Sequence, residues 1–231
     1  MKKTSILLLA FIAFACGSNH LTKVKNTSKN EFIEWSNTWL VNTDKSDLPR
    51  VLIIGDSHVE RYYPLVSDKL KGKAYCSKFT TSKSLGDPAI LIQLKTVLYN
   101  NKIDIISFNN GLHGVNYSDK EYSSYISKVY KIFKKSNPDL KVIWVNTTAR
   151  RVKGSLNEYD QYNPGVINRN KAVDTFTKTK NIPVVDLYSL SNTHPEYYEN
   201  DGIHLNKTGV EEEAKAVSDT IIKVIEKAFI K

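Results

Sequence analysis

Val51-Leu52-Ile53-Ile54-Gly55-Asp56-Ser57-His58 is the stretch from which the rest of the chain can be read. Four consecutive apolar residues, three of them β-branched, make a run too short for a helix. The run stops at Gly55-Asp56, a turn pair. That is the pattern of a strand buried on both faces. Similar runs recur at 73–76, 103–108, 142–145 and 182–185. The last carries Pro183 near its start, where a strand tolerates proline. Between the runs, apolar residues return at helical spacing. Ala89, Ile90, Leu91, Leu94, Val97 and Leu98 form one such set, and Tyr122, Tyr125, Ile126, Val129, Tyr130 and Phe133 another. A helix is also expected over 168–179. The last, over 210–229, is amphipathic, with Ala214, Val217, Ile221, Val224 and Ile225 on one side. Strands alternating with helices predict an α/β fold: three layers, α/β/α, around a central parallel sheet of about five strands.

Composition agrees with one large domain. The chain has 231 residues, 41% of them apolar, with 3 Trp, 13 Tyr and 8 Phe. That is enough to build a core and excludes global disorder. Two cysteines exclude a disulfide-stapled mini-domain and a four-cysteine zinc site. The net charge of +9 favours anionic partners without naming them. No nucleic-acid-binding motif is present, most lysines fall on expected helix faces, and no nucleic-acid partner is expected.

The first residues are read as a leader rather than as fold. Met1-Lys2-Lys3 is basic, and residues 6–15 form an apolar run of half the length that a membrane span needs, about 20 residues. The run ends Ala13-Phe14-Ala15-Cys16-Gly17, which resembles a bacterial lipoprotein box in which the cysteine becomes the first residue and carries lipid. Ala13 stands where that box usually has leucine. An ordinary signal peptide cut near Ala15 is the alternative. The expected organisation is a lipoprotein-type signal peptide over 1–15, a polar tether over 16–30 and one domain over 31–231. No second apolar stretch is long enough to span a bilayer. The expected location is a bacterial cell envelope, anchored through Cys16, or otherwise the periplasm or outside. If Cys16 carries lipid, Cys76 is the one thiol left and no intrachain disulfide forms.

In parallel α/β sheets, ligands bind at the carboxyl ends of the strands. Four segments follow strands or lie late in the chain: Gly55-Asp56-Ser57-His58, residues 109–114 (NNGLHG), residues 146–151 (NTTARR) and Asp201-Gly202-Ile203-His204. A serine hydroxyl becomes a nucleophile when a base takes its proton, and a histidine oriented by a carboxylate is the usual base. Alone, Gly-Asp-Ser is a turn or helix-cap pattern, and Asp-x-x-His a surface loop. Together, at opposite ends of an alternating chain, they point to acyl chemistry.

These two segments resemble the first and last motif blocks of the SGNH, or GDSL-type, hydrolases. The resemblance spans the domain from about residue 51 to the final helix. It implies the three-layer fold in a flavodoxin-like topology, esterase activity and no cofactor. It also implies roles: Ser57 as nucleophile, His204 as base and Asp201 as orienting acid. The family's oxyanion hole uses the serine N–H, a glycine and an asparagine. Gly86, in Ser84-Leu85-Gly86-Asp87, fits the glycine block. The asparagine block departs from the pattern, because Gly111-Leu112-His113-Gly114 puts His113 where asparagine belongs. Either His113 donates through a ring N–H, or Asn109 reaches in from just before; His113 keeps the glycine in register.

Tyr62 and Tyr63 follow the serine closely, and Tyr197 and Tyr198 precede Asp201, so Tyr62, Tyr63 and Tyr198 are expected at the mouth of the site as flat surfaces for sugar rings. Arg150 is expected there as a holder of substrate carboxylates. The histidines are scattered, and no metal site is expected. The resulting expectation is an exported serine esterase that removes small acyl groups, acetyl first, from an acylated carbohydrate or other small ester. An O-acyltransferase, a lysophospholipase or thioesterase, and a non-catalytic carbohydrate-binding lipoprotein are the alternatives.

Overall fold

The structure, a computed structural model, describes residues 28–99 and 101–229. The expected leader 1–15, Cys16 and most of the tether 16–30 lie outside the described residues. A six-stranded sheet runs in the order β1 (Ser36–Trp39), β3 (Tyr75–Thr81), β2 (Arg50–Gly55), β4 (Ile105–Asn109), β5 (Lys141–Val145) and β8 (Val184–Val185). The last five are mutually parallel, and β1 pairs antiparallel with β3. In chain order the parallel strands stand second, first, third, fourth and fifth, which is the flavodoxin-like order. The direction of winding reverses between β2 and β4, the place where such sheets open a crevice.

The two-residue period of β2 divides the core. Leu52 and Ile54 join Phe79, Ile106, Phe108, Val142 and Trp144 beneath α2 (Ala89–Leu98), α3 (Asp119–Ser136) and α4 (Asn163–Lys180). Val51 and Ile53 join Ile105, Ile143 and Val145 beneath α1 (Ser57–Lys69), α5 (Leu187–Asn192) and α6 (Lys207–Phe229). The sheet is therefore covered on both faces. Phe108 and Trp144 meet edge to face at 4.9 Å, a favoured aromatic geometry.

Four features depart from the sequence expectation. The sheet gains β1, whose residues SNTW are all exposed and carry no apolar run. The second parallel strand is Tyr75–Thr81 rather than 73–76, because polar Ser77 and Lys78 interrupt its apolar pattern. A helix, α1, starts at Ser57 itself, capped by Asp56, whose Oδ1 accepts the His58 N–H at 3.0 Å. A hairpin, β6 (Arg151–Val152) with β7 (Ser155–Tyr159), follows β5 and turns through Gly154 at φ +79°. Cys76 is a free, buried thiol, and burial pushes it up to about 12. Among the described residues, no helix is long and apolar enough to cross a membrane.

One charged pair ties α1 to α6 inside the apolar layer. His58 Nδ1 lies 2.8 Å from Glu213 Oε1, with side chains 4% and 0% exposed. Burial works against a charged His58, but the charge and hydrogen bond of Glu213, then Asp56 and the Ile203 carbonyl, raise it to about 9. A folded value above the unfolded one stabilises the fold fully below about pH 6.5, and that stabilisation is lost as pH rises through about 9. Denaturant titrations at about pH 6 and about pH 10 should show this loss in the wild type and a much smaller one in Glu213→Gln. Glu213→Ala, which strands a buried imidazolium, should cost about 3–5 kcal/mol at neutral pH.

Candidate active site

Ser57 is the first residue of α1, directly beyond the carboxyl end of β2. Its N–H therefore has no acceptor one turn back within the helix. Gly55 lets the turn close: a Cβ there would lie 2.3 Å from Val59 Cγ2. Across the crevice, the loop before α6 brings in Asp201 and His204. Asp201 Oδ1 accepts the N–H groups of Ile203 and His204, each at 2.9 Å, which folds the loop around its own carboxylate. Its other oxygen, Oδ2, is 2.6 Å from His204 Nδ1. His204 Nε2 is 2.9 Å from Ser57 Oγ. In this geometry Nδ1 carries the proton facing Asp201, and Nε2 is left to accept from the serine hydroxyl. Burial works to raise the Asp201 carboxyl, but the His204 ring and the two N–H groups outweigh it and leave it below its ordinary value.

Two further contacts fix the loop. Gly202 adopts φ +72° and packs so closely that a Cβ would lie 2.2 Å from the Arg151 carbonyl oxygen. His58, held by Glu213 at Nδ1, places Nε2 3.1 Å from the Ile203 carbonyl oxygen, and its ring lies 5.9 Å from that of His204 at 22°. The residue after the serine thus anchors the residue before the histidine.

The site opens into a cavity of about 300 Å³ lined by Ser57, His204, His113, Arg150, Tyr162 and Glu31, among others. His113 stands there and Asn109 does not. Asn109, at the end of β4, spends its amide on the carbonyls of Val145 at 3.0 Å and Asn146 at 3.2 Å, which joins the ends of β4 and β5. It is not free to donate to a ligand. Gly86 is buried beside Tyr117, and its N–H makes a long contact of 3.3 Å to Ser84 Oγ. Arg169 holds the His113 loop from beneath, donating to the carbonyls of Gly111, His113 and Gly114 at 2.7–2.8 Å.

The expected tyrosines are elsewhere. Tyr62 is 1% exposed and packs inward with Val59 and Val66. Tyr63 donates to the Cys76 carbonyl at 2.8 Å, on the strand side of α1. Tyr198 is buried and donates to the Ala149 carbonyl at 2.8 Å. Each serves the fold and not the cavity. Arg150 does line the cavity, but Asp160 already binds it at 3.0 Å, which weakens its capacity to take a second carboxylate. Tyr162, with Arg150 over its ring, was not expected.

Glu31 was not expected either. Its Oε2 is 2.7 Å from His113 Nδ1, and its Oε1 accepts the Gly114 N–H at 2.7 Å. The segment that carries it is fastened to the domain. Ser28 binds Asp87, the Lys29 N–H binds the Tyr117 hydroxyl, and Trp35 exchanges hydrogen bonds with Ser82. Residues 28–30, expected as the end of a tether, are therefore seated on the body. The four histidines 58, 113, 194 and 204 are each paired with a different carboxylate. Among the described residues, no group of three or more His, Cys, Asp or Glu is arranged to hold a metal.

No family model matches the sequence, and no curated protein sequence does. Solved structures do. A GDSL-like lipase from Bacteroides thetaiotaomicron is 19% identical, with a TM-score of 0.60 over 78% of this chain and 89% of that one. A carbohydrate esterase family 3 protein from Talaromyces cellulolyticus is 17% identical, with a TM-score of 0.61 over 78% of this chain and all of that one. An acetyl esterase variant with an acetate ion is 16% identical, with a TM-score of 0.62 over 78% and 99%. With its winding order, its covered parallel sheet and a serine at the reversal point, the chain has the fold of the SGNH, or GDSL-like, hydrolases.

Proposed function

We propose that this protein is a serine esterase of the SGNH type that removes small acyl groups, acetyl first, from a carbohydrate. The observation that carries the reading is the unbroken contact chain from Ser57 Oγ through His204 to Asp201. As Oγ attacks the ester carbonyl carbon, its proton passes to His204 Nε2. Asp201 steadies the imidazolium that forms. The oxyanion is met by the Ser57 N–H and by His113 from the cavity wall. Gly86 does not line the cavity, and its N–H faces Ser84 Oγ. Collapse returns the proton to the leaving sugar oxygen and leaves acyl-Ser57. Water, deprotonated by His204, then releases the acid. The protein's own residues supply every proton transfer in this scheme.

The substrate class rests on two supports. The cavity is small, and Leu112, Val115 and Ile203 line it beside the polar groups, which suits a short acyl chain better than a long one. Structures sharing the fold include a carbohydrate esterase and an acetyl xylan esterase, and the same substrate chemistry is proposed here. The reading includes export, with a lipid anchor at Cys16, and the domain acting from residue 28 onward.

Hydrolysis of aryl acetate, butyrate and octanoate by the purified protein tests it. Turnover should favour acetate and fall roughly 10⁴-fold or more in Ser57→Ala and in His204→Ala. Preference for octanoate would move the substrate to lipids, and acyl transfer to an added sugar in preference to water would make the protein a transferase. Gly202→Ala should keep the acetyl preference and lower kcat about 10²-fold, because the added methyl moves the loop that aims His204.

A further inference from the structure

We propose that Glu31 is a positioning residue for the oxyanion hole: its carboxylate accepts a hydrogen bond from Nδ1–H of His113 and so favours a doubly protonated ring, with Nε2–H as donor, as the working form of the hole. This rests on the esterase reading of the same site.

A neutral histidine has one ring proton. Glu31 Oε2, at 2.7 Å, holds that proton on Nδ1. Deprotonated His113 would then present a bare Nε2, a lone pair, to a developing oxyanion. An asparagine in this position would have no such weakness, since its amide always donates. Histidine therefore works here only as a cation, and a carboxylate in contact is the simplest way to keep it one. Nε2 has no hydrogen-bond partner among the described residues, and His113 lines the cavity that Ser57 and His204 share.

The carboxylate is itself held. Gly114 N–H engages its second oxygen, the Glu31 N–H donates to Glu34 at 2.8 Å, and Glu34 is tied to Ser82 at 2.6 Å and Lys83 at 3.1 Å. Trp35 stands edge-on to the His113 ring at 6.1 Å. The charged and titratable groups facing His113 are Glu31 and Glu34 from the N-terminal segment, Asp56 at the start of α1, Arg150 after β5 and His204 from the last loop. Burial lowers His113, and the Glu31 hydrogen bond, then the charges of Asp56, Glu31 and Glu34, more than restore it, so the net direction is upward.

The consequence is an alkaline limb in the pH profile that belongs to His113. The test has two arms. In the first, kcat/KM for an aryl acetate is followed against pH in the wild type, Glu31→Gln, His113→Asn and the double variant. Glu31→Gln should move the alkaline limb down by about one pH unit or more and leave the acid limb in place. His113→Asn should remove that limb and make Glu31→Gln silent. In the second arm, the His113 ring is titrated by NMR in the catalytically idle Ser57→Ala protein, with and without Glu31→Gln. The ring should titrate lower by the same interval when Glu31 is gone. A uniform loss of activity at every pH, or a His113 titration unchanged by Glu31→Gln, would overturn the proposal. A wild type that hydrolyses no ester would instead sink the esterase reading, and the oxyanion role with it, while the NMR arm still decides whether Glu31 sets the protonation of His113.

Discussion

Ser57 and His204 are 147 residues apart in sequence and 2.9 Å apart in space, and the buried pair of His58 with Glu213 holds that distance. Ser57 and His58 open the same helix. Ser57 meets the imidazole of His204, and His58 meets the carbonyl of Ile203 beside it. Glu213 secures His58 from α6, the helix that the same loop leads into. Burying such a pair is expensive, and an apolar pair of equal volume would bind α1 to α6 at least as well. An apolar pair would not donate to the Ile203 carbonyl. The cost goes into placing a loop.

The edge strand does for His113 what α6 does for His204. β1 runs antiparallel to β3, with Ser36 opposite Thr81 at the carboxyl end of β3. The residues before Ser36 are therefore delivered to the functional edge of the sheet, although β1 adds no apolar side chain to the core. Had β1 been parallel, Glu31 would lie at the opposite edge. The segment 28–39 gives no local sign of this, since it is held by hydrogen bonds to Asp87, Tyr117 and Ser82 rather than by burial.

What the sequence reveals follows from the range of the signal. Five parallel strands were legible because buried strands and amphipathic helices leave local periods, whereas the flavodoxin-like order came only through the family resemblance. Ser57, Asp201 and His204 were legible because each sits in a short motif at a strand end or late loop. Tyr62 was misplaced because α1 was not recognised: Val59, Tyr62 and Val66 share one helix face, and that spacing marks Tyr62 as core. The competing roles of Asn109 and His113 could not be separated, since the difference lies in contacts with the end of β5, 36 residues away. Glu31 had no local signal at all. Its meaning comes from strand direction, which the residues of β1 do not encode in their own pattern.

Around one serine stand three imidazole–carboxylate pairs: His58 with Glu213, His113 with Glu31 and His204 with Asp201. In the proposed reaction His204 must gain a proton, and a cation nearby opposes that. A bare imidazolium at His58, 5.9 Å from the His204 ring, would cost about 3 kcal/mol at an effective dielectric near 20, or about two powers of ten in rate. Glu213, in contact with His58, cancels most of that field, and Glu31 does the same for His113. The carboxylates thus do two things at once. Each keeps its histidine protonated where a donor is needed, and each screens that proton from the one histidine that has to start neutral.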